Sequence, residues 1–220
     1  MIMLIKFFIP LLILNFNEQT SSREKIELFI ELNYNNEKIV LNKVYQNNYS
    51  NSFSINKLQF YISDLSFYSQ NKEILEYHKK YILIDIENEN SLKISIPSNL
   101  IFDKLLFNIG IDEETNKTGA KGGDLDPIHG MYWTWNSGYI NFKLEGLHNH
   151  NNEFLFHIGG FMKPYNTLQK VEINIEKEHN NKIVLNFDKY FNSLDFNLDK
   201  ILSPGKNAVK SSIMLAKSFN

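Results

Sequence analysis

Apolar and polar residues alternate with a period of two along much of this chain. Ile140, Phe142 and Leu144 interleave with Asn141, Lys143 and Glu145, and Ile173 and Ile175 with Asn174 and Glu176. That period places one set on a buried face and the other toward water, the mark of a half-buried β-strand. Short runs rich in aromatic and β-branched residues, separated by clusters of Asn, Asp, Gly and Ser, repeat the signal. They predict strands over residues 25–33, 38–44, 57–68, 80–86, 92–96, 104–111, 131–145, 153–159, 169–176 and 182–187. Helical periodicity is confined to 188–194 and 207–217, where Ala208, Val209, Ile213, Met214 and Ala216 approximate a 3.6-residue repeat. The expected fold is all-β: an antiparallel β-sandwich with a short C-terminal helix.

One segment breaks the pattern. Between Ile111 and Met131 lie 19 residues rich in Gly and Asp, longer than a compact domain usually carries without a functional reason. This long Gly/Asp-rich loop is the first place to look for a site.

The N-terminus reads differently again. A single lysine, Lys6, precedes the apolar run Phe7 to Leu14, followed by polar Asn15 to Ser22. The run has the length of a signal-peptide core and is well short of the ~20 residues needed to span a bilayer. Residues 1–20 are therefore expected to be a signal peptide, although they contain no small-x-small cleavage site, and residues 21–220 a single domain. The mature protein would be periplasmic or secreted, with no membrane span.

Composition narrows the chemistry. There is no cysteine, so disulfides, thiolate metal sites and a lipid anchor on cysteine are excluded. Net charge is −2 and lysines are scattered among acidic residues, leaving no basic stripe for nucleic acid. The chain contains no Gly-x-Ser-x-Gly elbow, P-loop, dinucleotide fingerprint or His-Glu-x-x-His motif. A binding protein is expected, not an enzyme.

The loop runs into His129-Gly-Met131-Tyr132-Trp133-Thr-Trp135-Asn-Ser-Gly-Tyr139, which holds both tryptophans of the protein. If extended, it places His129, Met131, Trp133 and Trp135 on one face, neighbours about 6.6 Å apart. Imidazole and thioether without thiolate suit Cu(I) better than Zn, Mg or Ca. His157, in Phe154-Leu-Phe-His157-Ile-Gly-Gly160, is a third candidate ligand. Its parity turns it away from the core that Phe154, Phe156 and Ile158 face. A lone histidine beside aromatics is more often a structural residue than a ligand, and Met131 and the tryptophans are more often packing; it is their clustering that points to a metal.

At these residues the chain resembles the MbnP-like family of periplasmic copper-binding proteins, named for a protein of methanobactin operons. The resemblance covers most of the mature chain. It is carried most specifically by the stretch from Asp124 to Gly146, with support from Leu58 to Leu65, Leu106 to Asp112 and Phe156 to Gly160. It implies a β-sandwich that binds copper. In some members a MauG-type di-haem enzyme oxidises a tryptophan to kynurenine, whose aniline nitrogen and ketone add donors. Carried onto this sequence, the tryptophans are Trp133 and Trp135 and the histidine is His157, with no firm match for His129.

Two other readings compete. Tyr132, Trp133, Trp135 and Tyr139 would serve a glycan-binding module if they formed a flat stacking platform. Asp112, Glu113, Glu114, Asp124 and Asp126 supply oxygens suited to Ca²⁺, but at spacings unlike an EF-hand loop.

Overall fold

The longest run of strand-forming residues becomes the spine of the molecule. The computed structural model describes residues 24–49, 51–136, 138–149, 152–175, 181–194 and 200–219; the expected signal peptide lies outside them. The strands are β1 (Lys25–Tyr34), β2 (Glu37–Lys38), β3 (Val44–Gln46), β4 (Ser52–Ser69), β5 (Lys72–Glu76), β6 (Tyr81–Asp85) and β7 (Lys93–Pro97). They continue with β8 (Lys104–Ile109), β9 (Tyr132–Trp133), β10 (Gly138–His148), β11 (Asn152–Gly159), β12 (Gln169–Asn174), β13 (Lys182–Asn186) and β14 (Lys200–Ile201). The helices are α1 (Glu113–Lys117), α2 (Asp188–Phe191) and α3 (Lys206–Phe219).

These strands make two sheets, as an all-β sandwich requires. The larger runs β12-β8-β4-β10-β11-β14, with β3, β5 and β6 also paired to β4 and β9 to β10; the smaller runs β13-β1-β2, with β7 on β1. The alternating apolar positions of both sheets meet in one core, Leu28, Ile30 and Leu32 of β1 among Phe60, Ile62, Phe142, Leu144, Phe154 and Phe156 of the large sheet. Phe187 and Phe219 close its end through an edge-on ring contact at 4.9 Å.

The structure departs from the expected strands in instructive places. Most pairs are antiparallel, but β1–β13 and β11–β14 are parallel. Their members are distant in sequence, so a crossover can join them where a hairpin could not. The strand expected over 38–44 is a turn between β2 and β3, with Asn42 at φ +62°; Val40 and Val44 stay exposed because no partner sheet faces them. The strand expected over 131–145 divides into β9 and β10, a hairpin pairing Trp133 with Gly138 and Tyr132 with Tyr139.

β4 is buried on both faces over residues 58–63, which is why this stretch lacks alternation. One face joins the main core, and the other carries Gln59 and Tyr61 toward the long loop. Asn141, on β10, ties the connections around that second face. Its side chain accepts from Ile111 N at 3.0 Å and donates to Thr167 Oγ1 at 2.9 Å. It fills the space over Gly110, where an added Cβ would lie 2.4 Å from Asn141 Cγ. Asn141→Ala leaves the buried Ile111 N–H without its acceptor and is expected to cost about 1–3 kcal/mol, read as a lower urea midpoint at unchanged slope. A shift too small to measure would mean that this tie is dispensable.

Candidate metal centre

The loop over residues 112–130 is folded onto the second face. It contains α1 and two 3-10 turns, Gly123–Leu125 and Pro127–His129. Asn116 and Tyr139 fasten it. The Asn116 amide donates to Ile111 O and Asp112 O and accepts from Tyr139 N, and the Tyr139 hydroxyl accepts from Lys121 N and donates to Leu125 O. Tyr61 adds a bond from its hydroxyl to Asp124 O at 3.1 Å. Beneath the loop, Tyr61, Leu83, Ile111, Leu125, Met131, Trp133, Tyr139 and Ile140 form a second, smaller apolar cluster.

The acidic residues of the loop have structural partners. Asp112 caps α1 through Thr115 N and pairs with Lys80. Burial pushes its carboxyl up, but hydrogen bonds from Tyr81, the Thr115 amide and Lys80 outweigh this and hold it at about 2. Asp124 pairs with Lys79 and accepts from Leu83 N, and Asp126 caps Ile128 N. Among the described residues no three His, Asp or Glu side chains converge on a point, so the Ca²⁺ reading has no oxygen cage behind it.

Beside the apolar cluster the same sheet face turns polar. Asp85, Gln59, Lys143 and His157 form one cross-strand row over β6, β4, β10 and β11. Gln59 donates to Asp85 Oδ2 at 2.8 Å, and the Lys143 ammonium reaches over to Gly130 O. His157 Nε2 lies 2.7 Å from Glu145 Oε1. Glu145 is held below the usual glutamate range chiefly by that hydrogen bond, against the upward push of burial, with help from the charges of His157, Lys143 and Lys57. Burial pulls Lys143 below the usual lysine range, partly offset by Glu145.

The expected site residues are not all brought together. Gly130 at φ +69° ends the turn carrying His129, so residues 129–135 are not one extended stretch and the shared face fails. His129 is exposed, its Nε2 3.1 Å from Gly123 O. With Asp124 and Asp85 it lines a polar cleft of roughly 240 Å³. Met131 is fully buried in the apolar cluster.

Trp133 is buried too, while Trp135 is 65% exposed, the two rings 5.6 Å apart and tilted by 45°. Tyr132 and Tyr139 meet at 73°, so the four rings do not make a flat exposed platform.

Trp133 packs on the β11 face that carries His157. A Cβ at Gly159 would lie 2.7 Å from Trp133 Cζ3 and 2.9 Å from Cη2, so the benzo ring occupies the slot that the glycine leaves. Gly159 and His157 share a face of β11, two residues or about 6.6 Å apart. Sequence reasoning passed over Gly159 and read Lys143 and Glu145 only as the water-facing side of a strand. The Gly159-Gly160 pair after a strand marked a close approach, but not which ring fills it.

Because the folded Glu145 lies below the ordinary glutamate value of about 4.3, its contribution to stability is present above that value and is lost as pH falls through the folded one. The stability difference between wild type and Glu145→Gln, from urea melts between pH 6 and pH 3, is expected to shrink toward acid. A constant difference would show that the pair does not favour the carboxylate.

A family model, MbnP, matches residues 23–211. Among solved structures, MbnP from Methylosinus trichosporium matches with a TM-score of 0.52 over 78% of each chain at 10% identity, a likeness of fold. No curated protein matches the chain.

Proposed function

This chain belongs to the MbnP family, and we propose that it is a periplasmic or secreted protein that binds copper, as Cu(I), on the β11 face that carries His157 and receives Trp133. The observation that carries the reading is the Trp133 ring seated over Gly159 on the strand face that bears His157. Among the described residues no helix is long and apolar enough to cross a membrane.

The donor chemistry fits a soft ion of low coordination number. With Nε2–H donated to Glu145, His157 keeps its Nδ1 lone pair for a metal, the carboxylate–histidine arrangement that orients imidazole ligands. No thiolate is available, and imidazole with thioether favours Cu(I). Met131 lies in the same apolar cluster as Trp133 and is the thioether assigned to this site. His129, engaged with Gly123 O, stands outside the set.

Trp133 is the tryptophan we assign to oxidation, because it is the one packed on the strand face that bears His157. Opening its indole ring to kynurenine would supply an aniline nitrogen and a ketone on that face. A MauG-type di-haem enzyme is the partner the family resemblance implies for that step. The protein itself acts as a binder for acquisition or handover, with no catalytic role.

The test is a competitive Cu(I) titration of the mature protein, His157→Ala and Glu145→Gln, with the intact mass of protein purified from its own host. One-to-one binding is expected, abolished in His157→Ala and weakened about 10–100-fold in Glu145→Gln, the usual effect of removing a histidine's orienting partner. The host protein is expected to show one carbon lost and one oxygen gained. If neither the host form nor the recombinant form binds copper, the proposal fails.

A further inference from the structure

Trp133 is 6% exposed and Trp135 65% exposed, yet their rings are in contact with centroids 5.6 Å apart. The Trp135 ring packs on one side against Trp133 and leaves the rest of its surface in water. The pair provides a continuous indole path from solvent to the buried Trp133 ring. The path stops there. The next buried aromatics, Tyr139 and Tyr61, donate their hydroxyls to carbonyl oxygens, Leu125 O and Asp124 O. A phenol gives up an electron readily only when a base takes its proton, and a peptide carbonyl is not one.

We propose that Trp135 is the surface electron donor through which Trp133 is oxidised, so that the tandem tryptophans act as relay and target. The inference rests on the reading of Trp133 as the oxidised residue. A one-electron oxidant, such as a high-valent haem iron too large to reach Trp133, takes an electron from the Trp135 indole, whose N–H proton passes to water. Trp133 then gives an electron to the Trp135 radical, which takes back a proton. A second passage leaves Trp133 short of two electrons. Water adds to its ring, two protons leave, and the first stable product is a hydroxytryptophan with one oxygen gained.

The experiment uses the mature full-length protein and photogenerated tris(bipyridine)ruthenium(III), a one-electron oxidant that acts from solution. Tandem mass spectrometry reads the oxygen gained at each tryptophan in wild type, Trp135→Phe, Trp135→Tyr and Trp133→Phe, with near-ultraviolet circular dichroism to confirm folding. In wild type the product is expected chiefly at the buried Trp133. Trp135→Phe should lower it several-fold, Trp135→Tyr should restore part of it, and Trp133→Phe should leave the product on Trp135. Equal Trp133 product in wild type and Trp135→Phe would overturn the relay, as would wild-type product confined to Trp135. Neither readout involves copper, so failure of the copper titration and failure of the relay are separable.

Discussion

A β-strand buried on both faces has to be covered twice, and β4 sets this condition for the whole protein. Over residues 58–63 it packs one side chain after another into opposite layers. Phe60 and Ile62 enter the main core beneath the small sheet, while Tyr61 enters the second cluster. Only a second layer of chain can keep water from that outer face, and the loop over residues 112–130 is that layer. Its length follows from the area it covers, and its Asn116 and Tyr139 clamps supply the hydrogen bonds that a buried irregular backbone must find.

The cover is incomplete, and the chemistry lies at its margin. Where the loop ends, the face changes from apolar to the row Asp85, Gln59, Lys143 and His157. Gln59 is 2% exposed and Lys143 8%, so these polar groups are largely out of water without a full shell of partners. Gln59 Oε1 has no hydrogen-bond partner among the described residues, a feature that native interiors keep rare. Lys143 serves here as a built-in cation. Its ammonium draws in the Gly130 carbonyl and so fixes the point where the loop becomes the Met131–Trp133 segment. β11 beneath is held by ladders on both sides, so His157 and the Gly159 slot that Trp133 fills lie on a stiff floor.

The layering of the fold was legible because it depends on parity. Phe142 to Glu145 and Phe154 to Ile158 alternate in sequence and do so in space, but a bulge at Asn141 turns Ile140 into the second cluster, and Asn141 and Lys143, expected toward water, are buried because the long loop covers that face. Parity fails where backbone conformation changes within a few residues. The αL turn at Gly130 and the turn at 134–136 break what reads as one strand, so residues two apart no longer share a face. His129 and Met131, adjacent in the extended reading, are separated into solvent and core. The pairing of His157 with Glu145 depends on the β10–β11 register, which the sequence between residues 145 and 153 does not encode. Gly159 was invisible as a functional residue because its role is to be absent: it makes a slot, and only the three-dimensional path of β9 shows that Trp133 fills it.

The stiffness of the floor bears on how a metal site could be completed. The cross-strand row Asp85, Gln59, Lys143 and His157 holds a single histidine, and its neighbours along each strand are about 6–7 Å away. Here that leaves one imidazole with a carboxylate behind it, in a chain without thiols. Recruiting a second imidazole from the loop would require the His129 turn to unfold from Gly123. The Trp133 ring is already seated over Gly159 on the strand face that bears His157. The tryptophan pair thus combines a buried ring in a fixed position with an exposed ring open to solvent, which is the arrangement that the proposed oxidation of Trp133 through Trp135 draws on.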